Sequence, residues 1–186
     1  MLLLTATTSK ATIFQFQATM SGPNESPVNF SPGTGFATVF LDDALNTLTI
    51  NLTFSGLTGT TTASHIHAAT AAPLTGTAGV ATTTPTFAGF PLGVTSGAYN
   101  NVLDLTLASS YNPAYVTANG GTTASAEAAL LASMLTGNSY FNIHTTTFGG
   151  GEIRGFLIPV SVPEPTTLAL IGLGGLALAV RRRKSA

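Results

Sequence analysis

The chain contains no cysteine and no tryptophan, and only 7% of its 186 residues carry a charge. Without cysteine, disulfide frameworks, thiolate zinc sites and cysteine nucleophiles are excluded together. Basic residues are nearly missing from the body. Between Ala11 and Val160 the sole cation is Arg154, against six acids: Glu25, Asp42, Asp43, Asp104, Glu127 and Glu152. A phosphate-binding surface needs clustered Lys and Arg, so nucleic acid is excluded as a partner. The Gly-x-Ser-x-Gly elbow of serine hydrolases is absent, and neither lysine follows a glycine loop. Residues Gly172 to Ala177 match the dinucleotide fingerprint by letters, but they lie inside an apolar run with no strand before it. Asp42 and Asp43 sit together in a turn and read as solvated turn residues, not as the paired carboxylates of glycoside chemistry.

What the chain does have is concentrated at its ends and in its threonines. Arg181, Arg182, Arg183 and Lys184 hold four of the six basic residues, and the fifteen residues before them, Thr166 to Val180, carry no charge. As a helix that run would be about 22 Å long, a marginal span of a hydrocarbon core of about 30 Å. The cationic stop would stay in the cytoplasm, leaving the rest of the chain on the other side. Val162, Pro163, Glu164 and Pro165 precede the run, and their two prolines keep the backbone extended and exposed. This order of Val-Pro-Glu-Pro, a short Leu/Gly/Ala helix over about 166–180 and the basic end at 181–184 resembles the PEP-CTERM sorting signal of exported bacterial proteins. The resemblance implies that residues 161–186 are recognised and removed by an exosortase, so that the membrane helix is an address and not part of the fold. Residues 1–11, with an apolar start and small residues at Ser9 and Ala11, read as the remnant of a signal peptide.

The body, residues 12–160, has a β pattern. Leu48, Ile50, Leu52 and Phe54 alternate with Thr47, Thr49, Asn51 and Thr53, the period of two that puts one face in a core and the other in water. Phe36 to Leu41 reads as the hairpin partner of this strand across the loop Asp42 to Asn46. Phe14, Phe16 and Ala18 form an earlier alternation; Leu103, Leu105 and Leu107 form a later one, and so do Ile153, Gly155 and Leu157. Threonine makes up 32 of the residues, and its enrichment with Gly/Pro/Asn punctuation points to an all-β antiparallel Greek-key sandwich. One short helix is inserted, over Thr123 to Thr136, with a cap at Thr123 or Ser125 and Gly137 at its end. Ala68 to Pro85 and Ser109 to Gly121 read as long loops.

His65 and His67 are two apart, so on a strand both leave the same face. With His144 on another strand they could form a copper or zinc site; the competing reading is a polar cluster that ties strands and loops together. Glu152 and Arg154 are also two apart, and as the body's one cation Arg154 is expected to pair with Glu152 in a structural ion pair.

Four ordered motifs give the body a family likeness. They are Gly22 to Pro27, Thr53 to Leu57 leading into His65-Ile66-His67, Tyr140 to Thr145, and Gly151 to Gly155, and together they resemble the CHRD domain of exported bacterial proteins. A weaker likeness, of fold and of His-x-His with a late arginine, is to the copper/zinc superoxide dismutase sandwich, the alternative being an immunoglobulin-like one. Two functional expectations follow. The first is a non-enzymatic domain without cofactor, anchored in the membrane by its tail and then placed at the cell surface or in the extracellular matrix. There its partners would be polysaccharide or surface protein. The second is a metal-binding protein using His65, His67 and His144, with superoxide dismutase-like redox activity.

Overall fold

The computed structural model describes residues 12–160. The readings of a signal-peptide remnant and of a membrane helix with its sorting motif fall outside these residues. Within them, no helix is long and apolar enough to cross a membrane.

Eight strands are connected in the order β1 (Ile13–Ser21), β2 (Thr34–Asp42), β3 (Thr47–Ser55), β4 (Thr61–His67), β5 (Gly97–Asp104), β6 (Tyr140–Thr145), β7 (Ile153–Phe156) and β8 (Ile158–Val160). Two helices, α1 (Pro113–Ala118) and α2 (Thr123–Leu135), lie between β5 and β6. All the strand pairings are antiparallel, and the sheet runs β4-β6-β7-β1-β2-β3-β5, with β8 on β1 beside the short β7 contact. The sheet is a β-sandwich in effect, because its two halves supply a common core. Phe16, Met20, Val39, Leu41, Ile50 and Leu52 come from the β1-β2-β3 half, and Ile66, Phe141, Ile143 and Ile153 from the β4-β6-β7 half, all at most 1% exposed.

The period-two reading of β3 holds residue by residue: Leu48, Ile50, Leu52 and Phe54 are buried, and the threonines between them face outward. Its hairpin with β2 closes at Asp42 opposite Thr47. The Asp42 carboxylate accepts the N–H groups of Ala44 and Leu45 at 3.0 Å each, which sets the turn.

Three expectations need correction. Leu107 does not continue the alternation of Leu103 and Leu105. The Asp104 carboxylate accepts from Thr106 N at 2.9 Å and Thr106 Oγ1 at 2.6 Å, an Asx turn that ends β5 and leaves Leu107 exposed. The segment Ser109 to Gly121 is not wholly loop. Asn112 caps α1 by accepting Ala114 N, and Pro113 occupies the first turn, where its missing N–H costs nothing. The cap of α2 is Thr122, in a reciprocal box with Ser125.

Candidate functional site

Antiparallel register gathers the polar residues of the β4-β6-β7 half onto its face away from the core. His65 lies opposite Asn142 and His67 opposite Tyr140, while His144 pairs with Ala63. Asn142 in turn lies opposite Arg154, and Tyr140 opposite Phe156. The alternate positions Ile66, Phe141, Ile143 and Ile153 point into the core. Loops supply the cover over this polar face, since carbonyls of Asn24, Gly76, Ala78 and Gly149 all accept hydrogen bonds from its side chains.

The three histidines come together. Ring centroids are 4.9 Å apart for His65–His67, 4.7 Å for His65–His144 and 5.8 Å for His67–His144. One ligand atom from each lies within 4.8 Å of the other two. A backbone carbonyl can only accept, so His67 Nδ1 donates to Ala78 O at 2.8 Å and His144 Nδ1 donates to Gly149 O at 3.0 Å. In each neutral ring this leaves Nε2 with its lone pair. Those two Nε2 atoms and His65 Nδ1 are buried without a hydrogen-bond partner among the described residues. Burial, aided by the neighbouring histidines, lowers His65 to about 3. His67 falls to about 4, through burial opposed by its bond to Ala78 and reinforced by His144 and Arg154. Burial also lowers His144. All three imidazoles are therefore neutral at physiological pH.

Tyr140 braces the cluster. Its ring stacks on His67 at 4.7 Å and 6°. Its hydroxyl donates to Ala78 O at 3.3 Å and accepts Ala78 N at 3.2 Å, so the carbonyl that orients His67 is itself held. Behind Tyr140 lies the Arg154 guanidinium, 4.8 Å from that ring's centroid and 5.5 Å from that of Phe156.

The expected Glu152–Arg154 pair does not form. Strand β7 begins only at Ile153, so Glu152 sits in a bend where strand alternation does not apply. Its carboxylate accepts from Ser31 Oγ at 2.6 Å, Thr145 Oγ1 at 2.6 Å, Gly59 N at 3.1 Å and the N–H of Thr58. Burial alone would raise its pKa; these four bonds outweigh burial and lower it. Arg154 instead donates to Asn24 O and, at 2.8 Å, to Gly76 O, with Glu25 Oε2 3.9 Å from Nε. Glu25 is pushed up to about 7 by burial, against the pull of Arg154 and of the Ser26 N–H. Sequence reasoning missed Glu25 as the arginine's partner. The available signal was scarcity, since only six acids could answer the body's one cation. Gly151, at φ +132°, is required here, because a Cβ would lie 2.7 Å from Glu25 Oε1 and from both Asn142 amide atoms.

These protonation states predict a pH dependence. A histidine with a lowered folded pKa stabilises fully above its unfolded value of 6.5 and loses that contribution as pH falls toward about 4 for His67 and about 3 for His65. Glu25 acts oppositely: its contribution is present below 4.5 and lost as pH rises through about 7. Glu127, raised by burial, acts as Glu25 does, while Glu152, held low by its hydrogen bonds, acts with the histidines; each group supplies at most about 1.4 kcal/mol per pH unit, and three histidines with Glu152 outweigh two carboxyls. In the presence of a chelator, the urea midpoint is expected to fall as pH goes from 6.5 to 4.5. A midpoint that rises over that interval contradicts neutral imidazoles.

Beside Arg154 an open cleft of about 580 Å³ is lined by Gln17, Thr19, Asn24, Phe36 and Phe156, among others.

Two family models match the chain. The family model described as CHRD domain matches residues 16–157, and the PEP-CTERM protein-sorting motif matches residues 161–184. No curated protein and no solved structure matches the chain.

Proposed function

The chain belongs to the CHRD domain family, and we propose that it is an exported, non-enzymatic domain with a binding or structural role at the cell surface or in the extracellular matrix. An exosortase recognises its tail, which anchors the precursor in the membrane before it is removed. The observation that carries this reading is the pair of adjacent family matches. The CHRD domain match ends at residue 157 and the sorting-motif match begins at 161, so the tail can be cut away without removing any residue matched to the domain. The charge-poor, threonine-rich surface suits polysaccharide or surface protein, and the cleft offers Phe36 and Phe156 as apolar faces beside the polar groups of Gln17, Thr19 and Asn24. The topology supports a Greek-key arrangement of immunoglobulin-like or superoxide dismutase-like type, since β4 lies in the other half before the chain returns to place β5 beside β3.

The test is processing in a host that carries an exosortase. Wild-type protein is expected as a membrane-held precursor and a shorter external product. A Pro163→Ala/Pro165→Ala variant should accumulate as precursor. If that double variant is processed and released like wild type, the motif is not the address.

A second reading, a copper- or zinc-binding protein with dismutase-like redox activity, is favoured by one observation: three unpartnered imidazole nitrogens converge. That observation supports binding and gives no separate support to turnover.

A further inference from the structure

We propose that His65 Nδ1, His67 Nε2 and His144 Nε2 are the ligands of one first-row transition ion, zinc or copper, held in a three-nitrogen site with a fourth position left for water. This deepens the second reading above, on which it rests, and is independent of the export reading, because it concerns the folded domain alone.

Three observations converge on it. First, three buried nitrogens, one on each of three histidines clustered together, lack any hydrogen-bond partner among the described residues. Buried polar atoms are ordinarily satisfied, so a polar cluster whose purpose was to tie strands and loops together would not leave its inward-facing atoms unpaired. Second, the tautomers are set for ligation. Ala78 O and Gly149 O take the Nδ1 protons of His67 and His144 and so leave both Nε2 atoms with a free lone pair. A carbonyl on the far nitrogen of a ligating histidine is the usual outer arrangement of a metal site, where it fixes ring orientation and raises ligand basicity. Third, the spacing is close to what an ion needs. Metal–nitrogen bonds of about 2.0–2.1 Å place tetrahedral ligand atoms about 3.4 Å apart, and one ring nitrogen from each of the three histidines lies within 4.8 Å of the other two.

The donor set selects the class of ion. It contains only imidazole, which suits zinc and copper and is a poor match for calcium or magnesium, whose ligands are oxygens. Tyr140 is a positioning residue: it stacks on the His67 ring and holds the Ala78 carbonyl that orients it.

The full chain, made without a polyhistidine tag, kept in detergent and stripped with chelator, is dialysed separately against Zn²⁺, Cu²⁺, Ca²⁺ and Mg²⁺. Elemental analysis is expected to show near-stoichiometric zinc or copper and no retained calcium or magnesium. Co²⁺ loading reads coordination in the wild-type protein: strong visible bands of a four-coordinate site are expected. His67→Gln should weaken affinity by more than about tenfold, and Tyr140→Phe, with all three ligands intact, by roughly tenfold. Binding of zinc and copper well below one per chain, a six-coordinate cobalt spectrum, or equal loading of a folded His67→Gln variant would each overturn the proposal. If that variant does not fold, the stoichiometry and the cobalt spectrum of wild type decide.

Discussion

Glu152→Ala is expected to destabilise the domain by about 4–6 kcal/mol, enough to unfold much of the population. Its fully buried carboxylate joins segments far apart in sequence: Ser31 before β2, Thr58 and Gly59 before β4, and Thr145 at the end of β6. Truncation removes four charge-assisted bonds and strands their donors, at about 1–3 kcal/mol for each buried group left without a partner. A domain of this size has about 5–15 kcal/mol in total. Glu152→Gln keeps one acceptor oxygen and the shape, and should lose roughly half as much. Urea denaturation followed by circular dichroism measures both. A loss below about 1 kcal/mol for the alanine variant would mean that the carboxylate does not hold these loops.

Arg154→Met should cost about 3–5 kcal/mol, the usual result of breaking one side of a buried ionic network. The guanidinium is 4% exposed, bonds two loop carbonyls and lies over Tyr140 and Phe156. Methionine replaces the packing and none of the bonds. The loss is moderated because Glu25, already poised near neutrality, can take up a proton once the cation is gone. Arg154→Lys is expected to recover little, since an ammonium cannot span Asn24 O and Gly76 O in the same plane. Because Arg154 helps keep His67 unprotonated, His67 should also titrate higher in the methionine variant, which histidine resonances followed against pH can show. An unmoved titration together with a small stability loss would contradict the placement of Arg154 behind Tyr140.

The sequence signals that proved informative are local ones. The sorting tail is a matter of composition and order within 24 residues, and the family comparison finds it at 161–184. The strand β3 and its hairpin are legible because the alternation of Leu48 to Phe54 is unbroken and the loop is short. His65 and His67 share a face for the same reason. What the sequence cannot show is register between distant strands. Whether His144 meets His65 depends on β6 lying beside β4 with Asn142 opposite His65, a pairing of residues 77 positions apart. The Glu152 and Arg154 assignment failed on the same point. Adjacency in sequence suggested a pair, whereas Glu152 reaches 93–121 residues back to Gly59, Thr58 and Ser31, Arg154 reaches 78 and 130 residues back to Gly76 and Asn24, and the bend at Glu152 breaks the alternation on which the inference stood. The helix α1 is a different kind of miss, because Asn112 followed by Pro113 was a readable start signal inside a stretch whose composition read as loop.

The central claim is that the folded domain is cargo and the tail its label. Intact mass spectrometry of the protein recovered outside its native host cells tests this most directly. The account predicts a polypeptide that retains Val160 and lacks Arg181 to Lys184. An external species carrying the complete basic end, or the whole chain found only in the cytoplasm, would contradict it.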